Sequence, residues 1–521
     1  MSFLKIESYQ KGIAISSFFN IIAKIILFVN SIVIAYYFGT QTKTDIYFYV
    51  MSSIIGLIVT LISGLNLAVL LPESMRLREQ ESKEKSMQFL NFFLYLYLII
   101  GLIVSIPLII DSVGFFNIFT KFGIEALSQN QSLLLLFIPL FTLILIVNYL
   151  TDILTSYKYF TMPMIAAIIN NSAALIFIIL FHSIWDVKSI LVGLNTAYLI
   201  NTIFLIYLIH KNLKWNFTYK KIKFTKAVKK NIIYAQAGNL ASVLGSFAPA
   251  YILSSFGSGV ITALNFGQKT ANIPNDFITS QFTSISGIRY NELYAQKDYT
   301  RLNMVFLETA KFLIFIMIPV SVLAFIYSDQ VISILFQRGK FDAISVKNSA
   351  LFMKYLVLLL PFYAINGLAS RLYMAAQLIN YSFWYQIAAN LMLIALVWFG
   401  IKNFGAIGFP YALLTQYILN TFVIYFFLKF LLPFIKFGKV LLYLCLIILI
   451  NVLLGIIVFH IIKYFDNIFS KLIFGISIYL LTYFILNIAF KINHQTNFYY
   501  NLAMSKILPK YFKNNHKEKQ F

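Results

Sequence analysis

Apolar runs of about twenty residues recur along almost the whole chain, separated by short stretches carrying turn residues and clusters of Lys and Arg. A run of that length crosses the roughly 30 Å hydrocarbon layer as a helix. Inside lipid, the backbone N–H and C=O groups have only one another as partners. A transmembrane barrel would show alternating segments of about ten residues, and these runs do not alternate. Composition agrees, since 60% of the 521 residues are hydrophobic and only 11% charged. That charge cannot supply the polar shell of a water-soluble fold. The sequence therefore predicts an all-α integral membrane protein of about 14 transmembrane helices.

Candidate spans fall at 12–37, 46–70, 88–111, 132–153, 162–182, 189–209, 232–254 and 259–285, then at 311–328, 350–370, 382–401, 406–428, 439–462 and 470–490. Basic clusters follow the even-numbered spans, the richest being Lys211, Lys214, Lys220, Lys221, Lys223, Lys226, Lys229 and Lys230. The segment 329–349, with Arg338, Lys340 and Lys347, is the exception. The positive-inside rule then puts the even loops and both termini in the cytoplasm. Met1 to Lys11 lead straight into a full-length span, so no cleavable signal peptide is expected.

The formal charge of +23 is assigned mainly to topology and anionic lipid rather than to nucleic acid, for which no motif is present. Contact with an anionic substrate is the alternative. The basic segment 211–231 reads as a cytoplasmic linker between an N-terminal lobe (1–210, six helices) and a C-terminal lobe (232–430, six helices). Two further helices (431–490) and a basic cytoplasmic tail (491–521) follow. The two lobes are expected to enclose a central cavity, as in many secondary transporters.

Polar residues inside spans are costly unless they face a cavity or a partner, so they mark candidate sites. Lys24 lies thirteen residues beyond Lys11 in the first span, beside Asn20 and Asn30. It either faces a wet cavity, snorkels to the surface, or pairs with Asp45. The alternative role for Asp45 is a helix cap. The eighth span carries Gln268, Lys269, Asn272, Asn275 and Asp276. Lys269, Asn272 and Asp276 share one helix face, and Pro274 should bend the helix there. That face lines an interior or a polar seam, and Gln236 and Asn239 could extend it. Asp152 and Arg371 read as interfacial, and Cys445 as a buried small hydrophobe.

No catalytic or metal-binding constellation is found. The five His residues have no metal-pair spacing, no nucleotide-binding loop occurs, and no carboxylate pair marks a loop. No cofactor is expected, and membrane potential or an ion gradient would supply the drive.

Several strings are similar to the MurJ/MviN lipid II flippase family. They are "YYFGTQTKTDIYFYV" (36–50), "SYKYFTMPMIAAIINNSA" (156–173), "LNFGQKTANIPNDFITSQFTSI" (264–285), "ILFQRGKFDA" (334–343) and "LASRLYMAAQ" (368–377). The resemblance implies a two-lobed exporter carrying a polyprenyl-diphosphate-linked saccharide, with undecaprenol as the prenyl chain, to the outer leaflet as a monomer. It places Lys24 and Lys269 on the diphosphate and matches the family's first-loop acid to Asp45. Where the family has further charged groups, this chain has Asn30, Ile58, Val59 and Asn272, so its cavity is less charged. Asp276 could stand in for the missing acid. Related alternatives are a capsule or O-antigen repeat-unit translocase and a cation-coupled multidrug exporter. An envelope-synthesis enzyme or scaffold is a third class, which the missing loop carboxylates disfavour.

Overall fold

The computed structural model describes residues 9–222, 224–461, 465, 468–490 and 492–493. Lys223 and, apart from 492–493, the basic tail at 491–521 lie outside them. All regular structure among the described residues is helical. The fourteen long helices are α1 (Tyr9–Phe38), α2 (Thr42–Gln80), α3 (Lys83–Ile110), α4 (Gln131–Ser156), α5 (Met162–Trp185), α6 (Lys188–Leu213) and α7 (Lys226–Leu253). They continue as α8 (260–295), α9 (Tyr299–Ile326), α10 (Ala343–Ala375), α11 (Ile379–Phe404), α12 (Gly408–Leu431), α13 (Gly438–Ile461) and α14 (Ile468–Phe490).

Eleven stretches among the described residues are long and apolar enough to cross a membrane. One, Trp384–Leu431, is divided where Gly405 turns to φ +64°, giving α11 and α12. The lysine-bearing α7 and amide-rich α8 are long enough but too polar to rank among the eleven. All fourteen expected spans thus correspond to helices. Several helices run past the apolar stretch on polar turns, as α2 does over Leu71–Gln80.

The chain forms two compact units, one of residues 1–265, 335–348 and 386–406, the other of 266–334, 349–385 and 407–521. In the first unit, Tyr97, Tyr149, Leu90 and Leu150 lie in a core drawn from α2 to α6. Trp215, from the basic segment, is buried in the same core, and its indole N–H donates to Asn91 Oδ1 at 2.7 Å. The Asn91 amide donates to the carbonyls of Asn216 and Thr218, and Tyr95 donates to that of Phe217. This segment is therefore strapped to α3 rather than hanging as a free tether.

In the second unit, α9, α10, α12, α13 and α14 share a core. Tyr483 of α14 stacks on Phe315 of α9 with ring centroids 4.7 Å apart and donates to its carbonyl at 3.1 Å. Tyr479 donates to Asn451 of α13 at 2.6 Å. The last two helices are thus integral to this core. Many large apolar side chains remain exposed, such as Ile99, Leu102, Ile103 and Ile106 along α3, as lipid contact requires. Cys445 corrects the sequence reading. It is exposed on α13, because in a bilayer an apolar thiol gains as much from lipid as from a protein core.

Candidate functional site

The turn from α1 to α2 runs through Gly39, whose φ of +59° only glycine adopts cheaply. It delivers Asp45 to the first turn of α2, where the side chain is 2% exposed. The carboxylate caps α8 rather than its own helix. It accepts from the N–H of Gly259 at 2.6 Å, and from the N–H and hydroxyl of Thr262 at 2.7 and 2.5 Å. Those donors are the unsatisfied N–H groups and positive dipole end of α8, which a carboxylate complements. Thr42 adds a hydrogen bond to Ser258 at 2.9 Å.

The segment holding "FQRGKFDA" joins this cluster within the first unit. The Lys340 N–H donates to the Tyr36 carbonyl at 2.8 Å, and Thr40 and Ser345 hydroxyls lie 2.7 Å apart. Gly39 and Gly339, both at φ +59°, let the two chain segments touch: a Cβ on Gly39 would collide with the Lys340 carbonyl, and one on Gly339 with that of Tyr36. Asp342 caps α10 by accepting from the Ser345 N–H at 2.8 Å and hydroxyl at 2.7 Å. Those two bonds hold its carboxyl below the usual range. Three segments far apart in the sequence, 36–45, 258–262 and 339–345, therefore form one polar knot.

Lys24 lies half-buried on α1, which packs on α5. Pairing of Lys24 with Asp45 is not observed. Fifteen helical residues, about 22 Å, separate Lys24 from Gly39, and the Asp45 carboxylate is turned to α8. Asn30 is 5% exposed, and its Oδ1 has no hydrogen-bond partner among the described residues. A buried amide oxygen left so is costly.

On α8, Gln268, Lys269 and Asn272 are half-buried and Asp276 is exposed. Pro274, which has no N–H to donate, is followed by a π-helical turn over Asn275–Thr279, so the expected disturbance takes the form of a widened turn. Gly267 brings α8 close to α10 in the second unit. Lys24 belongs to the first unit and Lys269 to the second.

Two features escaped the sequence reading. Gln236 of α7 helps line a cavity of about 370 Å³ with residues of α2, α3 and α4, including Leu65, Tyr97 and Leu145. Asp152, read as interfacial, is hydrogen-bonded from Asn66 Nδ2 at 2.7 Å, and Tyr97 donates to Asn66 Oδ1 at 2.8 Å. No local pattern marks Asn66. The partners of Asp45 were equally hidden, although "SFGSGVIT" carries the turn residues of a helix start.

The family model for lipid II flippase MurJ matches residues 34–480. A probable lipid II flippase MurJ from Borreliella burgdorferi is 24% identical over 424 residues, covering 80% of this chain and 81% of its own length. Among solved structures, a lipid II flippase MurJ in an inward closed conformation superposes with a TM-score of 0.77 at 20% identity, covering 91% of this chain and 98% of that one. An inward-facing multidrug resistance MATE transporter gives 0.63 at 14% identity, covering 80% and 99%. At such identities the structures establish the fold alone. The match across most of the chain, on a helical frame of this kind, places this multi-pass membrane protein in the MurJ lipid II flippase family.

Proposed function

We propose that this chain moves lipid II, an undecaprenyl-diphosphate-linked saccharide, from the cytoplasmic to the outer leaflet of the bacterial inner membrane by alternating access. The family match over residues 34–480 carries the reading. The disposition of charge supports it. Lys24 is a cation within a helix otherwise made for lipid, Lys269 is one on the amide-rich α8, and a diphosphate is the kind of ligand that repays their partial burial. Because both are lysines, they would hold the diphosphate as point charges rather than through a bidentate fork. Asn30, Gln268, Asn272 and Asp276 would meet the saccharide. Asp45, already committed to α8, would act by positioning that helix rather than by touching substrate. The chain would work as a monomer with both termini in the cytoplasm, driven by an ion gradient or membrane potential.

Complementation of a strain depleted of its lipid II flippase tests this reading. The wild-type chain should restore growth. Lys269→Ala should fail while reaching the membrane at wild-type level, and Lys269→Arg should recover part of the activity. Full rescue by Lys269→Ala would remove the lysine from the anion site. Failure of the wild-type chain, correctly inserted, would overturn lipid II as the substrate.

A further inference from the structure

Asp152 sits within α4, four residues before its end, and meets Asn66 of α2, which in turn is held by Tyr97 of α3. Its carboxylate has one hydrogen-bond donor among the described residues, the Asn66 amide at 2.7 Å, and no cation within ion-pair distance. The amide is itself oriented by the Tyr97 hydroxyl, which donates to its oxygen at 2.8 Å. Other titratable or charged groups nearby are engaged elsewhere. Tyr149 of α4 donates to the Leu90 carbonyl at 2.7 Å. Arg78, at the foot of α2, reaches the Ser156 carbonyl at 3.5 Å and lies 4.3 Å over the Tyr157 ring. His210, at the foot of α6, is bonded to the Trp215 carbonyl at 3.0 Å. Neither α5 nor α6 places a charged side chain on the carboxylate. Asp152 is half-buried, and one neutral amide only partly offsets the desolvation of its anion.

The surroundings allow a change of state. Asn66 opens a π-helical turn, Asn66–Leu70, a widened backbone found often at functional positions. Leu65, which precedes Asn66 in the chain, and Tyr97, which holds its amide, also line the cavity of about 370 Å³ between α2, α3 and α4 that Gln236 helps to line. A metal ion is poorly served here. Hard cations take about six or more oxygens, and the Asn66 oxygen is already given to Tyr97. A proton needs a single carboxylate oxygen.

We infer that Asp152 is a proton-binding site of the transport cycle, with Asn66 and Tyr97 as positioning residues. The carboxylate takes a proton from hydronium to become the neutral acid, leaving water, and returns it in the reverse step. The place of this site in a cycle rests on the flippase reading, whereas proton binding itself is measurable without transport.

Infrared difference spectroscopy on the purified full-length chain in lipid nanodiscs tests the site. A carboxylic acid C=O band should appear on acidification and disappear reversibly as the pH is raised. It should vanish in Asp152→Asn and persist in Asp152→Glu, which controls for folding. In Asn66→Leu the band should remain with a displaced midpoint, which a merely structural amide would not cause. Absence of the band, or its survival in Asp152→Asn, overturns the proposal, as does a sodium-dependent thermal stabilisation that Asp152→Asn abolishes. In proteoliposomes, an imposed pH gradient should accelerate lipid II flipping by wild type and leave Asp152→Asn unaffected. Equal acceleration of both overturns the coupling role. Failure of wild type to flip lipid II with the band intact counts against the flippase reading and leaves the proton site standing.

Discussion

Asp45 and Thr262 are joined twice across 217 positions of sequence, through the Thr262 N–H at 2.7 Å and its hydroxyl at 2.5 Å. The same carboxylate takes the Gly259 N–H, so one acid in α2 satisfies much of the buried start of α8. Asp45→Ala should therefore destabilise the protein by about 1–3 kcal/mol, the cost of orphaning buried donors. Thr262→Val, which loses only the hydroxyl, should cost about 1 kcal/mol. Thermal unfolding in detergent measures both. Asp45→Ala as stable as wild type would deny the cap its structural role.

Gly39 and Gly339 answer to the same test from the backbone side. Each has φ +59° and faces a carbonyl of the other's segment. Alanine at either position should cost at least about 1 kcal/mol through the left-handed conformation alone, with the collision added. The double variant should cost less than the sum of the singles, because once the two segments part the second clash is relieved.

Asp342 makes the α10 cap sensitive to acid. Its folded carboxyl is held below the ordinary range by Ser345, so the cap contributes fully above about pH 4. It is lost as pH falls through the lowered folded value. The stability difference between wild type and Asp342→Ala should thus be present at neutral pH and shrink toward zero in strong acid. A difference that grows on acidification would contradict the assignment.

Trp215 fastens the basic segment. Trp215→Ala removes a fully buried indole and the donor to Asn91. It should destabilise the first unit by about 3–5 kcal/mol. Amide exchange should accelerate over 214–222, while the core of the second unit keeps its protection.

The helices were legible because lipid imposes one rule on every span, and that rule is written locally in runs of apolar residues. The polar α8 was legible for the same reason, as a violation. What stayed hidden depends on pairing at a distance. Nothing around Asn66 in "SGLNLAVLL" signals a partner 86 positions away in Asp152. Likewise a basic, Trp-containing stretch looks like a tether until Asn91 is found to hold it. Cys445 failed differently. A rule for water-soluble cores equates apolar with buried, and a bilayer removes that equation.

The polarity of α7 and α8 also bears on how the chain reaches its membrane. Helices whose side chains are costly in hydrocarbon partition poorly when they leave the translocon singly. These two are adjacent, and Asp45 waits on a helix synthesised long before to receive the start of α8. Biogenesis should accordingly be a collective event at this point. Earlier helices must already be assembled, so that α7 and α8 enter against protein rather than against lipid. A truncated chain ending after α8 but lacking α1 and α2 would be expected to leave that pair on the wrong side of the insertion equilibrium.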